Sequence, residues 1–420
     1  MTTLFDQLSD ERTLREAWRK IHKNPRSSGI DQITIDEFRD KLETELYEIV
    51  DMLHSGKYKP QLLKAHPLEK GKNHSVESDN KEYRILKIPT VRDRVVQKAI
   101  EQLIEPILSK KYNLYNKVSF AYMEGGSVEK AALQIRDYYT EGNAWVYKSD
   151  IKKFFDKINK KAILEMIRDA LPDDSLMVLI EKFLTIDIKN SQELVERTQQ
   201  EYSYNPLVGV AQGSPLSPLF ANVYLSSLDQ LAIDSKLNMV RYADDLVVLT
   251  KTKEGASAAH NTIEKHLKSL QLEVHPLEVY GENVSSGHEK HSTVSKYSGL
   301  IFLGLNFKGS KIFPSGDSYV NAIWTVRRAA NNKTLPFVKK LISIEARVQG
   351  WCSAYAFTDF QEQQVNKLNK QFEDVMQKVL RKSDLMAIHN KSALEALQLP
   401  TYKNRLNSIK DKRKNKKKIK

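Results

Sequence analysis

Met239-Val-Arg-Tyr-Ala-Asp-Asp-Leu-Val-Val-Leu-Thr250 reads as two apolar strands folded back on each other. The strands are Met239 to Tyr242 and Leu246 to Thr250, and Ala243-Asp244-Asp245 supplies the hairpin turn between them. Two adjacent carboxylates at a tight turn repel one another unless cations are present. Taken alone, Asp-Asp in a turn is ordinary turn chemistry, because Asp readily hydrogen-bonds nearby backbone. The neighbouring segments decide between these readings.

Working toward the amino terminus, Ala144-Trp-Val-Tyr-Lys-Ser-Asp150 is a short strand ending in a third carboxylate, and a helix is expected from about Lys160 to Leu171. Phosphoryl transfer to a hydroxyl uses metal ions about 3.5–4 Å apart, one activating the attacking oxygen and one stabilising the leaving group. Hard Mg²⁺ ions take carboxylate oxygens. Asp150, Asp244 and Asp245 are therefore candidate metal ligands and catalytic residues.

Between these acids lies Gly209-Val-Ala-Gln-Gly-Ser-Pro-Leu-Ser-Pro218. Gly213 would let the backbone approach a bound nucleotide, and Gln212 offers a donor and an acceptor to a sugar or phosphate. Pro215 and Pro218 lead into an amphipathic helix carrying Leu219, Phe220, Val223 and Leu231. A glycine-proline turn before a core helix is the structural alternative.

The whole chain agrees with a nucleic-acid partner. Its 420 residues carry 66 Lys plus Arg against 53 Asp plus Glu, a net charge of +13, as expected of a protein that holds a polyanion, although plain solubility would also use such a surface. With 40% apolar residues it can fill two or three domain cores. The one cysteine, Cys352, excludes an internal disulfide framework and matches a reducing cytoplasm. No stretch has the length and apolarity of a signal peptide or membrane span, so a soluble, cytoplasmic protein without a membrane partner is expected.

Leu14, Ala17, Trp18 and Ile21 recur at helical spacing, and Thr34 can cap a second helix through Ile35, Phe38, Leu42 and Leu46. Finger-like strands joined by a loose loop, Lys70 to Lys81, are expected between Lys64 and Pro89, then a helix from about Asp93 to Ser109. A strand pair is expected at Tyr297 to Phe307 and helices from about Ser318 to Leu380. Asp411 to Lys420 carries seven Lys or Arg in ten residues and reads as a disordered, phosphate-seeking tail.

Tyr242-Ala-Asp-Asp245 between hydrophobic strands resembles the signature of reverse transcriptases. Ser149-Asp-Ile-Lys-Lys-Phe-Phe-Asp156 is similar to the family's first palm motif, and the Gly209–Pro218 segment followed by Asn222 and Leu228-Asp229 resembles the next, all in the family's order. The group II intron branch is resembled further by Asn24 to Asp36, by Gly56-Lys-Tyr-Lys-Pro60 and by Arg84-Ile-Leu-Lys-Ile-Pro-Thr-Val-Arg-Asp-Arg94 with Gln97. Phe302-Leu-Gly-Leu-Asn-Phe307 resembles the primer grip, and Gly350-Trp351 with Tyr355 part of the thumb, so the likeness covers roughly residues 14–360.

This resemblance implies an α+β right-hand polymerase, with fingers and palm of antiparallel sheet plus helices and a helical thumb. Its parts would be an extension at 1–60, fingers at 61–143, palm at 144–310, thumb at 311–400 and a basic tail at 401–420. It implies RNA-directed DNA synthesis from dNTPs, with two Mg²⁺ ions, or Mn²⁺ in their place, on Asp150, Asp244, Asp245 and the main chain of Ile151. Nucleotide contacts fall to Phe155, Gln212, Gly213, Arg84 and Lys81, and the primer grip to Phe302, Leu303 and Gly304. Phe155, five positions after Asp150, would lie beneath the incoming sugar and exclude a 2′-hydroxyl, with Phe154 pointing the other way if the segment is extended. Arg92 and Arg94 are candidates for backbone phosphates, with an Arg94–Asp93 pair as the alternative, and Tyr58, Tyr83, Tyr112 and Tyr115 for stacking or packing.

The pattern departs from the family in places. Leu272-Glu-Val-His-Pro-Leu-Glu-Val279 puts Glu278 where relatives have a lysine thought to protonate pyrophosphate, leaving His275, Lys290 or Lys296 as substitutes. Ser119-Phe-Ala-Tyr-Met-Glu-Gly-Gly-Ser127 lacks the Arg of the group II Tyr-Gly-Phe-Arg version, and nothing after the thumb resembles an HNH endonuclease. These departures point to a free-standing or defence-associated bacterial relative working on a structured non-coding RNA. An intron maturase, a template-independent or self-priming polymerase and a retron enzyme are the alternatives.

Overall fold

In the computed structural model, which describes residues 2–21, 27–69, 83–285, 291–381 and 399–418, the apolar spacing of the first segment forms the helix Glu11–Ile21, with Leu14, Ala17 and Trp18 buried. Thr34 caps the helix Ile35–Asp40: its hydroxyl accepts from the Glu37 amide while the Glu37 carboxylate accepts from the Thr34 amide at 2.8 Å. Phe38 then packs its ring 5.1 Å from that of Trp18. These residues belong to the first of two compact units, made of Met1–Ser127, Lys148–Val248 and Ser257–Pro276.

Strands β1 (Lys64–Glu69) and β2 (Tyr83–Ile88) of this unit pair antiparallel, with Leu68 opposite Arg84. Thr90 caps the following helix, Val91–Lys111, which buries Val96, Ala99, Ile100 and Ile104 as their spacing demands and leaves Leu103 half-buried. Asp93 lies buried in its first turn, accepting from the Tyr58 hydroxyl at 2.7 Å, the Gln61 amide at 3.0 Å and the Thr90 hydroxyl at 2.9 Å. Tyr58 is therefore a packed residue. The Tyr112 hydroxyl likewise donates to the Met166 carbonyl at 2.6 Å. Arg92 is held by Glu45 and Glu48, and Arg94 bonds Ser27 at 3.0 Å rather than Asp93. Both arginines tie the helix to the amino-terminal segment, a structural role alongside the phosphate contacts expected of them.

β3 (Trp145–Asp150), β4 (Met239–Tyr242) and β5 (Asp245–Thr250) form the sheet that carries the acids. β4 and β5 are an antiparallel hairpin and β5 lies next to β3. The segment after the Gly/Pro turn breaks at Leu225 into two helices, Ser217–Tyr224 and Ser226–Asp234, burying Phe220, Val223 and Leu228.

The second unit comprises Val128–Tyr147, Leu249–Ala256 and Leu277–Lys420. Here β7 (Ser292–Phe302), β8 (Leu305–Lys308) and β9 (Lys311–Pro314) run antiparallel in turn, including the expected strand pair. β6 (Leu277–Ser285) instead runs parallel to β7, with register shifts after Val279, which departs from the antiparallel sheet expected. Helices Gly316–Ala330, Phe337–Tyr355, Glu362–Arg381 and Tyr402–Lys418 share a core that includes Val326, Val348, Cys352, Phe372, Met376 and Tyr402. The basic tail is thus helical through Lys418 where disorder was expected. Tyr402 and Leu406 anchor its first turns in the core, and Arg405 pairs with Glu345. Among the described residues, no helix is long and apolar enough to cross a membrane.

Candidate active site

β3 ends at Asp150, and the next amide, Ile151 N–H, donates to the Asp244 carbonyl at 3.1 Å. Together with the pairing of β3 beside β5, that main-chain bond brings the third acid of the sequence pattern to the hairpin turn. Tyr242 pairs with Asp245 across β4 and β5, leaving Ala243 and Asp244 as a two-residue loop. Ala243 has φ 59°, a left-handed conformation that costs a non-glycine residue about 1–2 kcal/mol. Arg241 holds the turn there: its guanidinium donates to the Ala243 carbonyl at 3.0 Å, to Asn222 Oδ1 at 3.2 Å and to Asp229 Oδ1 at 2.7 Å. Asn222 Nδ2 in turn donates to the Ala121 carbonyl at 2.8 Å. In the sequence Arg241 is one residue of a strand, and the only signal of its role is a lone cation in an otherwise apolar run.

The acids perturb one another. Lost solvation raises the Asp244 carboxyl, and repulsion from Asp150 adds to it. Asp245 is pushed up to about 7, first by lost solvation, then by Asp244 and Asp150, with Lys148 and Arg84 opposing. The Asp245 residue nonetheless stays open to solvent, where a ligand can reach it. Among the described residues no three acidic, histidine or cysteine side chains are already gathered at metal-binding distances. The donor set fits divalent cations by its chemistry, an excess of hard oxygen ligands whose mutual repulsion cations would relieve.

A bridge between Ile151 and Val274, with the Lys152 amide donating to the Glu273 carbonyl at 2.8 Å, sets His275 Nε2 3.6 Å from Asp150 Oδ2. His275 therefore reaches the acids. In the second unit, Glu278 accepts from the Tyr280 hydroxyl and Lys296 lies 3.3 Å from Glu282. Lys290 falls outside the described residues.

Of the nucleotide-side candidates, Arg84 is exposed on β2, and its charge opposes the upward shifts of Asp244 and Asp245. Lys81 falls outside the described residues. Phe154 and Phe155 lie in a helical turn, Phe154–Lys157, rather than an extended segment, so their side chains diverge by about 100° instead of opposing. Phe154 is buried, while Phe155 is half-buried and its carbonyl accepts from the Val210 amide at 2.8 Å. The Gln212 carbonyl accepts from the Lys87 amide at 2.8 Å, and Gly213 has φ 131°. A Cβ there would lie 2.9 Å from the Lys87 carbonyl oxygen, so the backbone that this glycine admits is β2.

The primer-grip candidates form the turn between β7 and β8 in the second unit. Phe302 is buried, Leu303 has φ 52° and Gly304 φ 72°, and the Gly304 carbonyl accepts from the Ser318 hydroxyl at 2.7 Å. A cleft of about 600 Å³ opens beside them, lined by Gly304, Ser318, Arg347, Gly350, Trp351 and Tyr355.

Residues 70–277 match the family described as reverse transcriptase (RNA-dependent DNA polymerase). These residues form a reverse transcriptase domain. The chain is 28% identical over 233 residues to the group II intron-encoded protein LtrA of Lactococcus lactis subsp. cremoris, covering 55% of this chain and 35% of that protein. It is 28% identical over 212 residues to protein YkfC of Escherichia coli K12, covering 50% of each. The aligned part of the chain thus spans half or less of the length of these relatives. A solved chain of the partial Cas6-RT-Cas1–Cas2 complex aligns at 25% identity over 64% of this chain and 42% of that one, with a TM-score of 0.38.

Proposed function

We propose that the protein is an RNA-directed DNA polymerase that extends a primer or priming hydroxyl with dNTPs. The observation that carries this reading is the Ile151–Asp244 main-chain bond, which joins Asp150 to an Asp244–Asp245 turn whose carboxylates burden one another. Asp150, Asp244, Asp245 and the Ile151 carbonyl would hold two Mg²⁺ ions, which when bound activate the attacking hydroxyl and stabilise the leaving pyrophosphate. Arg84 attracts the triphosphate. The Phe155 ring lies under the sugar and excludes a 2′-hydroxyl, and Gln212 orients the nucleotide. His275 is placed to donate a proton where the family's lysine is replaced by Glu278. The Phe302-Leu303-Gly304 turn takes the primer backbone. In this reading fingers occupy 61–143, palm 144–310 and thumb 311–400.

The substituted segments at Ser119–Ser127 and Glu278 support a free-standing, defence-associated enzyme in the cytoplasm that copies a structured non-coding RNA. Likeness to LtrA favours a second reading, an intron maturase whose main task is binding RNA. Primer extension with dNTPs on an RNA template, together with sequencing of the nucleic acid that copurifies, tests both. Template-dependent DNA product supports the polymerase; copurifying intron RNA with no extension supports the maturase.

A further inference from the structure

Phe120-Ala-Tyr-Met-Glu-Gly-Gly126 forms a loop that is anchored on the framework of the acid-bearing hairpin. The Phe120 amide donates to the Arg241 carbonyl at 3.0 Å, and Asn222 Nδ2 donates to the Ala121 carbonyl at 2.8 Å. A Cβ at Gly126 would lie 2.4 Å from the Phe120 carbonyl oxygen, so glycine is what allows the loop to close.

Within this fixed loop Tyr122 has φ 58°, a strained conformation for a bulky aromatic residue, and it is 51% exposed. Half of the residue stays exposed, so part of the ring's burial gain is forgone, and the left-handed backbone adds a cost. Strain of this kind persists where the surrounding structure fixes a side chain for use. The surroundings of the ring are those of the site: lost solvation first, then the charges of Asp244, Tyr242 and Asp245 bear on the Tyr122 hydroxyl, while Arg84 acts in the opposite sense.

We infer that Tyr122 is a nucleotide-binding residue, its ring stacking on the base of the incoming deoxynucleotide between Arg84 and the Asp244–Asp245 turn. This rests on the polymerase reading, since it needs a nucleotide whose triphosphate lies toward Arg84. An aromatic face accepts any base, as an enzyme that adds all four dNTPs requires. Proximity to Arg84 as well as to the acids favours the incoming nucleotide over the primer end.

The test compares Tyr122→Ala, Tyr122→Phe and Tyr122→Gly in steady-state extension of a primed RNA template at varied dNTP, with primer–template Kd and metal-free melting temperature measured alongside. Tyr122→Ala should raise the dNTP KM about tenfold with little change in primer–template Kd, and Tyr122→Phe should restore most of the loss. Tyr122→Gly should raise KM similarly yet melt no lower than the parent, because glycine adopts a positive φ freely. An active parent with an unchanged dNTP KM in folded Tyr122→Ala overturns the inference alone, as does a loss confined to primer–template Kd. A parent that extends no primed template overturns the polymerase reading and this inference with it.

Discussion

The Arg241 guanidinium donates to the Ala243 carbonyl across 3.0 Å, so the strained residue that precedes the two turn aspartates is held from within the same hairpin. Arg241 and Asp229 are each only 1% exposed and hydrogen-bonded to each other. Breaking such a buried pair leaves an uncompensated charge and costs about 3–5 kcal/mol, whereas replacing both partners with apolar residues is often nearly neutral. Arg241→Met should therefore lower the unfolding free energy by about that amount and slow extension. An Arg241→Met/Asp229→Leu double variant should recover stability without recovering rate, because the Ala243 carbonyl stays unheld. Urea midpoints and extension rates measured together decide the matter; full recovery of rate in the double variant would remove Arg241 from any role in shaping the turn.

Lys160 gives a pH signature of its own. It is 5% exposed, its Nζ donates to the Asn205 carbonyl at 3.3 Å and lies 5.3 Å from the centre of the Tyr204 ring. Lost solvation, then Lys87, lower its pKa from 10.5 to about 8, with Asp187 opposing. Between those values the unfolded chain binds the proton that the folded chain has released, so this group makes stability rise with pH through the window from about 8 to 10.5, by at most about 1.4 kcal/mol per pH unit. Below that window the buried charge is a cost. Lys160→Met should stabilise the protein at pH 7 and flatten the rise. Unchanged denaturation midpoints against pH in the variant would exclude this contribution.

Phe155 yields a prediction about sugar choice. A phenyl ring under the sugar clashes with a 2′-hydroxyl and offers it no hydrogen-bond partner. Phe155→Val should raise ribonucleotide use relative to deoxynucleotide use by about tenfold in kcat/KM, with a smaller loss in dNTP use. Matched dNTP and NTP on one primed RNA template provide the comparison. A parental ratio in the folded variant would place the gate at another residue.

The hairpin of Met239 to Thr250 was legible because its cause is local: two apolar strands flank a turn, and pairing follows from the spacing. The same holds for the Thr34 cap and the apolar face of Val91–Lys111. Arg241 was hidden because its partners, Asp229 and Asn222, lie on other elements and a sequence does not display distances. Gly213 was legible as a close approach, but its neighbour, the Lys87 carbonyl, comes from a strand far away in sequence. In the last segment seven positive charges in ten residues outweighed the anchors upstream, Tyr402 and Leu406, whose helical spacing carries the chain on to Lys418. The Phe155 register came from family likeness, while the helical turn that presents it is set by Lys153 in a left-handed conformation, with φ 48°.

In the polymerase reading, Asp244 and Asp245 are carboxylates kept against mutual repulsion to hold metal. The most direct measurement is primer extension by an Asp244→Asn/Asp245→Asn variant across a Mg²⁺ titration, with melting temperature recorded in parallel. Removing the negative charges should cut the rate at every Mg²⁺ concentration by about a thousandfold or more, since metal stabilisation of the transition state is worth several kcal/mol. The variant should melt no lower than the parent, because a like-charge repulsion has been removed. Extension at the parental rate by the folded variant would contradict the claim.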